Sequence, residues 1–288
     1  TATFNIEYYK SVENELENSL HNFVRPFLMD QAPLFRVTVV QVSNVKHLLL
    51  MDFHHILIDG VAMSLLFKEM VALYEGKTLP ALPCHYKDYA VWQNGAEQRQ
   101  LVAEQESYWL NKFTETPITP LNLPTDFPWP KFRTFEGKRI NFKLEKEELD
   151  VLKSAVLKEG ASLYMLLLGV YNVLLSKLSA KEDILVGTVV AGRRHESIQT
   201  VIGVFINTLV LRNYPKKELA FDTFLQNVKH DSLEAFENQE YQYEDLIEKL
   251  DIERDSSRNT LFDVAFVLQN MADGKDMPSV MGDTSFIP

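Results

Sequence analysis

The stretch KHLLLMDFHHILIDG, residues 46–60, joins a β-rich run to a helix, and its reading decides the fold. KHLLLMDF is strand-like, as is LFRVTVVQV at Leu34–Val42, and the Ser43-Asn44 pair between them predicts a β-hairpin. Beyond Gly60, the residues Val61, Leu65, Leu66, Met70 and Leu73 share one helical face, and Gly76 is placed to end that helix. Between strand and helix stands HHILIDG, His54 to Gly60. Side chains alternate across a strand, so His54 and His55 point to opposite faces if the strand persists to its end. Diverging imidazoles do not converge on a metal ion. They fit one working ring and one structural ring.

Asp59 stands where a carboxylate can cap the helix or accept a cation, and Gly60 permits a tight turn and close backbone approach. A neutral imidazole at a rigid strand end can accept a proton at neutral pH, or orient a nucleophile. From average residue usage, the full HHxxxDG pattern arises by chance in on the order of one in a thousand chains of this length. The residues alone leave two readings open. In one, the histidines are ordinary strand-end residues and Asp59 is a cap; in the other, they form a site.

Outward from this stretch, the chain reads as alternating helix and strand. Val12, Leu16, Leu20, Phe23, Val24 and Phe27 repeat at helical spacing until Pro26 interrupts. Five prolines in PITPLNLPTDFPWP, residues 117–130, with no helical period, mark a linker between two lobes, 1–116 and 131–288. The second lobe opens with an expected strand, GKRINFKL, and a charged helix. A strong helix follows Ser162, with Leu163, Leu166, Leu167, Val170, Tyr171, Leu174, Leu175 and Leu178 at helical spacing. Strands DILVGTVVAG and FINTLVLRNY come next, then helices at Phe221–Phe236 and Tyr243–Leu250, then a strand FDVAFVLQN. The closing ADGKDMPSVMGDTSFIP is polar and rich in Gly and Pro, the composition of a mobile tail. The class is α/β or α+β.

With 288 residues a sizeable core is available, and a net charge of −11 argues against a nucleic-acid or anionic-membrane binder. One cysteine, Cys84, excludes an internal disulfide framework and any cysteine-based metal site, and suits a cytoplasmic setting. GxGxxG, GxxxxGK[ST], GxSxG and HExxH are all absent, so no phosphate loop, nucleophile elbow or zinc-protease helix is expected. Trp92 and Tyr89 read as packing aromatics. Arg193, Arg194 and His195 form a basic cluster, open to a solvated loop or to a role near a substrate tunnel or docking surface. Arg254, Asp255 and Arg258 read as a surface ion-pair network.

The chain resembles the condensation domains of nonribosomal peptide synthetases, within the chloramphenicol acetyltransferase-like superfamily. HHILIDG is similar to that family's HHxxxDG motif. The likeness continues in the family's order through HYKDYAVWQ, GASLYMLLLGVYNVLLSKL, DILVGTVVAGRRH, IGVFINTLVLR, NQEYQYEDLIEKL and RDSSRNTLFDVAFVLQN. The resemblance implies a V-shaped pseudo-dimer of two acyltransferase-like lobes with a tunnel between them. Donor and acceptor peptidyl carrier proteins would present 4′-phosphopantetheine thioesters to it, beside an adenylation domain of the same synthetase. It implies His55 as the catalytic histidine with His54, Asp59 as structural and Gly60 as the turn. Asn207 and Arg212 match an NTxxxR segment near the tunnel. No directly bound cofactor is implied, and no covalent acyl-enzyme is required.

The family's opening RHxxLRT-like motif and its final segments beyond the latch region have no match, so truncation at the N-terminus and at the C-terminus is expected, with reduced activity alone; within the motif, Ile58 stands where serine is common. Two alternatives accompany the condensation reading. One is an epimerization domain, which shares HHxxxDG but usually carries a tryptophan that GVAMSLL lacks. The other is a noncatalytic docking remnant of the fold.

Overall fold

A parallel strand precedes the expected hairpin. In the computed structural model, which describes residues 4–11, 16–134, 136–252, 255–269, 280–281 and 284–285, β1 (Ile6–Lys10) pairs in parallel with β2 (Phe35–Gln41). β2 pairs antiparallel with β3 (His47–Phe53), Phe35 opposite Phe53 and Gln41 opposite His47. The helix α1 (Leu16–Phe23) makes the crossover between β1 and β2, as parallel neighbours require. It is shorter than its apolar period suggested, and Val12 lies outside the described residues. β1 was not anticipated, because IEYYK carries its apolar residues on exposed positions.

After the turn at His54–Asp59 comes α2 (Gly60–Tyr74). Its end is as expected: Gly76 adopts φ 76° while its N–H and that of Lys77 bond the Leu73 and Ala72 carbonyls, closing the last turn. These elements belong to one compact unit, formed by residues 1–87, 194–205 and 272–288. Phe23, Val40, Ile58, Ala62, Ile198, Val201 and Phe205 are buried in it. The closing stretch falls outside the described residues apart from β6 (Val280–Met281) and β7 (Thr284–Ser285), a two-residue ladder.

The second compact unit comprises residues 88–193 and 206–271. It contains most of α3 (Tyr86–Gln93), then α4 (Ala96–Thr114), α5 (Lys146–Glu159), α6 (Leu163–Ser179), β4 (Ile184–Val190), β5 (Asn207–Asn213), α7 (Phe221–Glu237) and α8 (Tyr243–Leu250). Packing therefore draws the units differently from a division at residues 117–130. The reason is α4. Its Trp109 and Phe113 enter the core with Leu168, Ile184, Val186, Leu211 and Val228. Gln105 Oε1 accepts the N–H groups of Glu240 and Tyr241, and Trp109 Nε1 donates to Asn238 O at 2.8 Å.

Two expectations in this unit are corrected. GKRINFKL forms no strand: Ile140 and Phe142 are 88 % and 87 % exposed, and none of the described strands offers this segment the ladder that backbone N–H and C=O groups need. FDVAFVLQN reaches the sheet at one point, where Gly187 N donates to Val264 O and Phe266 N donates to Gly187 O. A Cβ on Gly187 would strike the Phe262 ring, so glycine sets that approach. In α6 the Ser162 cap is as read, its hydroxyl accepting Met165 N–H. Yet Met165, Leu168 and Asn172 are buried while Val170, Leu174 and Leu178 are half exposed. LYMLLLGVYNVLL is apolar around most of its circumference, so periodicity could not choose the face.

Candidate active site

Strand β3 ends at Phe53, one residue before the two histidines. The ladder continues through one bond, His54 N–H to Leu34 O at 2.9 Å, and then the chain turns, Leu57 N–H reaching His54 O at 3.0 Å. Because the chain turns here, the histidines are separated by the turn rather than by simple alternation. His54 is half-buried. Its Nδ1 accepts the N–H of Ile56 at 3.1 Å, and its ring meets Phe27 edge-on with centroids 6.0 Å apart. This bond makes His54 part of the turn's own framework. His55 is exposed, and its imidazole makes no hydrogen bond among the described residues. One structural ring and one ring open to chemistry result.

Asp59 is 2 % exposed. Its Oδ1 accepts the N–H of Ala62 at 2.7 Å, capping α2, and its Oδ2 accepts the N–H of Phe205 at 3.0 Å. The carboxylate thus holds the motif turn to a segment 146 residues away. Ile58 is 6 % exposed and joins the core. Gly60 begins α2.

Residues 201–205 were not singled out for this role. Val201, Gly203 and Phe205 are buried in alternation, and Tyr86 lies against them. Its hydroxyl donates to Val204 O at 2.8 Å and its ring meets Phe205 edge-on at 5.2 Å. A Cβ on Gly203 would collide with that ring. Cys84 Sγ also donates to Ser197 O at 3.4 Å. A sequence signal existed, since Tyr86 is the second residue of HYKDYAVWQ and Gly203 the second of IGVFINTLVLR, but neither spells out the contact.

In the second unit, Asn207 and Arg212 are both buried and both engaged with the framework. Asn207 Nδ2 donates to Gln239 O and Tyr241 O at 2.8 Å each, and its Oδ1 accepts from Thr208 N and Tyr243 N. Arg212 donates from Nε to Asp183 Oδ1 at 2.9 Å and from Nη2 to Asp183 Oδ2 at 2.6 Å. Its remaining donors reach the Lys112, Thr116 and Pro117 carbonyls. Burial depresses its pKa, but the bonds and charge of Asp183 outweigh this and raise it.

The basic cluster divides: Arg193 is buried, while Arg194 and His195 are exposed. Tyr89 packs as expected, 8 % exposed with the Trp92 ring 5.8 Å away. Arg258 is linked to Asp255 by charge and by its backbone N–H, which donates to Asp255 O at 3.2 Å, but its side chain pairs elsewhere. It forms a bidentate pair with Asp263, at 2.8 and 2.6 Å, and lies 4.7 Å over Trp129. Asp255 accepts from Ser257, and Arg254 lies outside the described residues. Among the described residues no group of three or more His, Cys, Asp or Glu is gathered as a metal site, and no single helix is long and apolar enough to cross a membrane.

The described elements thus place HHxxxDG at a strand-to-helix turn of an α/β fold. The family model described as "Condensation domain" matches residues 1–282, and the chain belongs to that family. It is 46 % identical over 265 residues to gramicidin S synthase 2 of Brevibacillus brevis, which covers 92 % of the chain and 6 % of that protein. Bacitracin synthase 3 of Bacillus licheniformis is also 46 % identical, covering 93 % of the chain and 4 % of its own length. The chain therefore spans a small part of these relatives. Among solved structures, a holo four-domain nonribosomal peptide synthetase aligns over 96 % of the chain and 21 % of its own, at TM-score 0.79 and 20 % identity. The X-domain from teicoplanin biosynthesis, in complex with OxyB, aligns over 92 % and 60 %, at TM-score 0.81 and 21 % identity. These two structures share the fold.

Proposed function

We propose that the chain is a peptide-bond-forming condensation domain, with His55 as its catalytic residue. The observation that carries this is the division of labour in the turn: His54 is bonded into the backbone while the His55 ring is exposed and, among the described residues, makes no hydrogen bond. The substrates in this reading are two thioesters, donor acyl or peptidyl and acceptor aminoacyl, each on the 4′-phosphopantetheine arm of a carrier protein. The acceptor amine attacks the donor carbonyl carbon. A C–N bond forms, the C–S bond breaks, and the donor arm leaves as its thiol. His55 holds the amine and receives its proton, which returns to the departing sulfur. The thioester is already activated, so no acyl-enzyme is needed, and tethering both reactants supplies much of the rate.

Asp59 and Gly60 hold the turn; Asn207 and Arg212 enter this reading as framework rather than as substrate contacts. Arg194 and His195, exposed and basic, suit a carrier-docking surface. The adjacent partner is an adenylation domain that loads the acceptor carrier, and the setting is the cytoplasm, where Cys84 stays reduced. Epimerization is not favoured, since the family match is to condensation domains. The test is turnover with donor- and acceptor-loaded carrier proteins. Carrier-bound dipeptide supports the reading. Carrier binding without dipeptide would instead assign a docking role.

A further inference from the structure

Val204 O and Phe205 N belong to one peptide group, and both of its polar ends are held. The Tyr86 hydroxyl donates to the oxygen at 2.8 Å, and the N–H donates to Asp59 Oδ2 at 3.0 Å. A hydrogen bond received at a peptide oxygen polarises the group and strengthens donation from its N–H. We propose that Tyr86 is a positioning residue for the reaction at His55, acting through this single peptide on Asp59 and so on the turn that carries the histidine. The consequence for rate rests on the condensation reading; the tie itself does not.

Three further features fit this role. Gly203, buried before the peptide, leaves the space that the Tyr86 ring occupies, and any larger residue would collide with it. The ring's edge-on contact with Phe205 fixes the peptide's plane from the following side chain. Asp59 passes the constraint on, because its other oxygen caps α2 through Ala62, the third residue of that helix. Tyr86 also lines a cavity of about 540 Å³ with Glu69, His85, Val201 and Ile202, so movement of the ring would reshape that wall too.

The experiment replaces Tyr86 by Phe and, separately, by 3-fluorotyrosine, whose phenol is the stronger donor. Two quantities are read: the amide proton shift and hydrogen exchange of Phe205 by NMR, and kcat and KM for dipeptide formation. Tyr86→Phe keeps the ring and removes the donor. It should move the Phe205 amide upfield, speed its exchange, and lower kcat about 3- to 10-fold, the size of one net hydrogen bond, with KM and Tm nearly unchanged. Fluorotyrosine should move the amide the opposite way and raise kcat, and a merely structural bond would move the amide without the rate. Gly203→Ala should lower kcat by displacing the ring. An unmoved Phe205 amide overturns the proposal whatever the kinetics, and so does a moved amide with unchanged kcat in an active protein. An inactive parent whose amide responds as expected upholds the tie and overturns the condensation reading alone.

Discussion

Asp59 and Arg212 are both buried charges, 2 % and 1 % exposed, but they are held in opposite ways. Asp59 receives backbone N–H groups, Ala62 at the start of α2 and Phe205 far along the chain. Arg212 gives its donors to a carboxylate and to three carbonyls at and beyond the end of α4. One ties a turn that bears a reactive side chain; the other ties a sheet to the helix beside it. A buried charge here is a means of joining segments distant in sequence, and only its surroundings decide whether chemistry sits nearby.

Several variants test how far that contrast holds. The largest effect belongs to the ring that neither charge holds. His55→Ala should lower kcat for dipeptide formation about 10²- to 10⁴-fold, the usual worth of a general base, with Tm within about a degree of the parent. His54→Ala should instead lower Tm by opening the turn. Equal activity losses for the two, with Tm unchanged in both, would erase the distinction between the rings.

Next is the Arg212 knot. Asp183→Ala leaves the guanidinium buried without its carboxylate and should cost about 3–5 kcal/mol in urea unfolding, while carrier binding by the folded protein is unchanged. A loss below about 1 kcal/mol would mean that the carbonyls suffice. Asp59→Ala comes third. It removes a helix cap and the acceptor for Phe205, so about 2–3 kcal/mol of stability should go together with activity. Lost activity at full stability would make Asp59 a partner in the chemistry, unlike Arg212.

The smallest effect is at Asp245, in the first turn of α8. Burial, then Glu244, Glu248 and Glu106, raise its pKa above the ordinary 3.8. The folded state therefore binds protons more readily than the unfolded one. Its contribution to stability falls as pH rises from about 4 through the raised value, and at neutral pH the charge is a cost. Asp245→Asn should raise Tm by about 1 °C at pH 7 after screening by solvent, with the gain shrinking toward pH 4. A gain that persists undiminished at pH 4 would remove the electrostatic explanation.

How much of this was legible depends on distance along the chain. The hairpin, α2 with its Asp59 cap and Gly76 stop, and the Ser162 cap of α6 are local devices, written within a few residues of where they act. The Asp59 bond to Phe205 spans 146 residues, and no local pattern records it. The bidentate pairing of Arg258 with Asp263 is close in sequence yet was not read, because Asp263 lies in FDVAFVLQN, whose apolar run reads as a strand. GKRINFKL shows the reverse failure: its alternation is that of a strand, but a strand also needs a neighbour, and no described strand pairs with it.

By itself the sequence determined the elements whose geometry is short-ranged, and the position of HHxxxDG at a strand-to-helix turn. Backbone propensity, capping and glycine conformation act over single turns. Only the tertiary structure decided which histidine is bonded into the turn, which face of α6 is buried, and that α4 packs with the residues after the proline-rich segment. Those outcomes depend on which surfaces meet, and burial is a property of the pair of surfaces rather than of either segment alone.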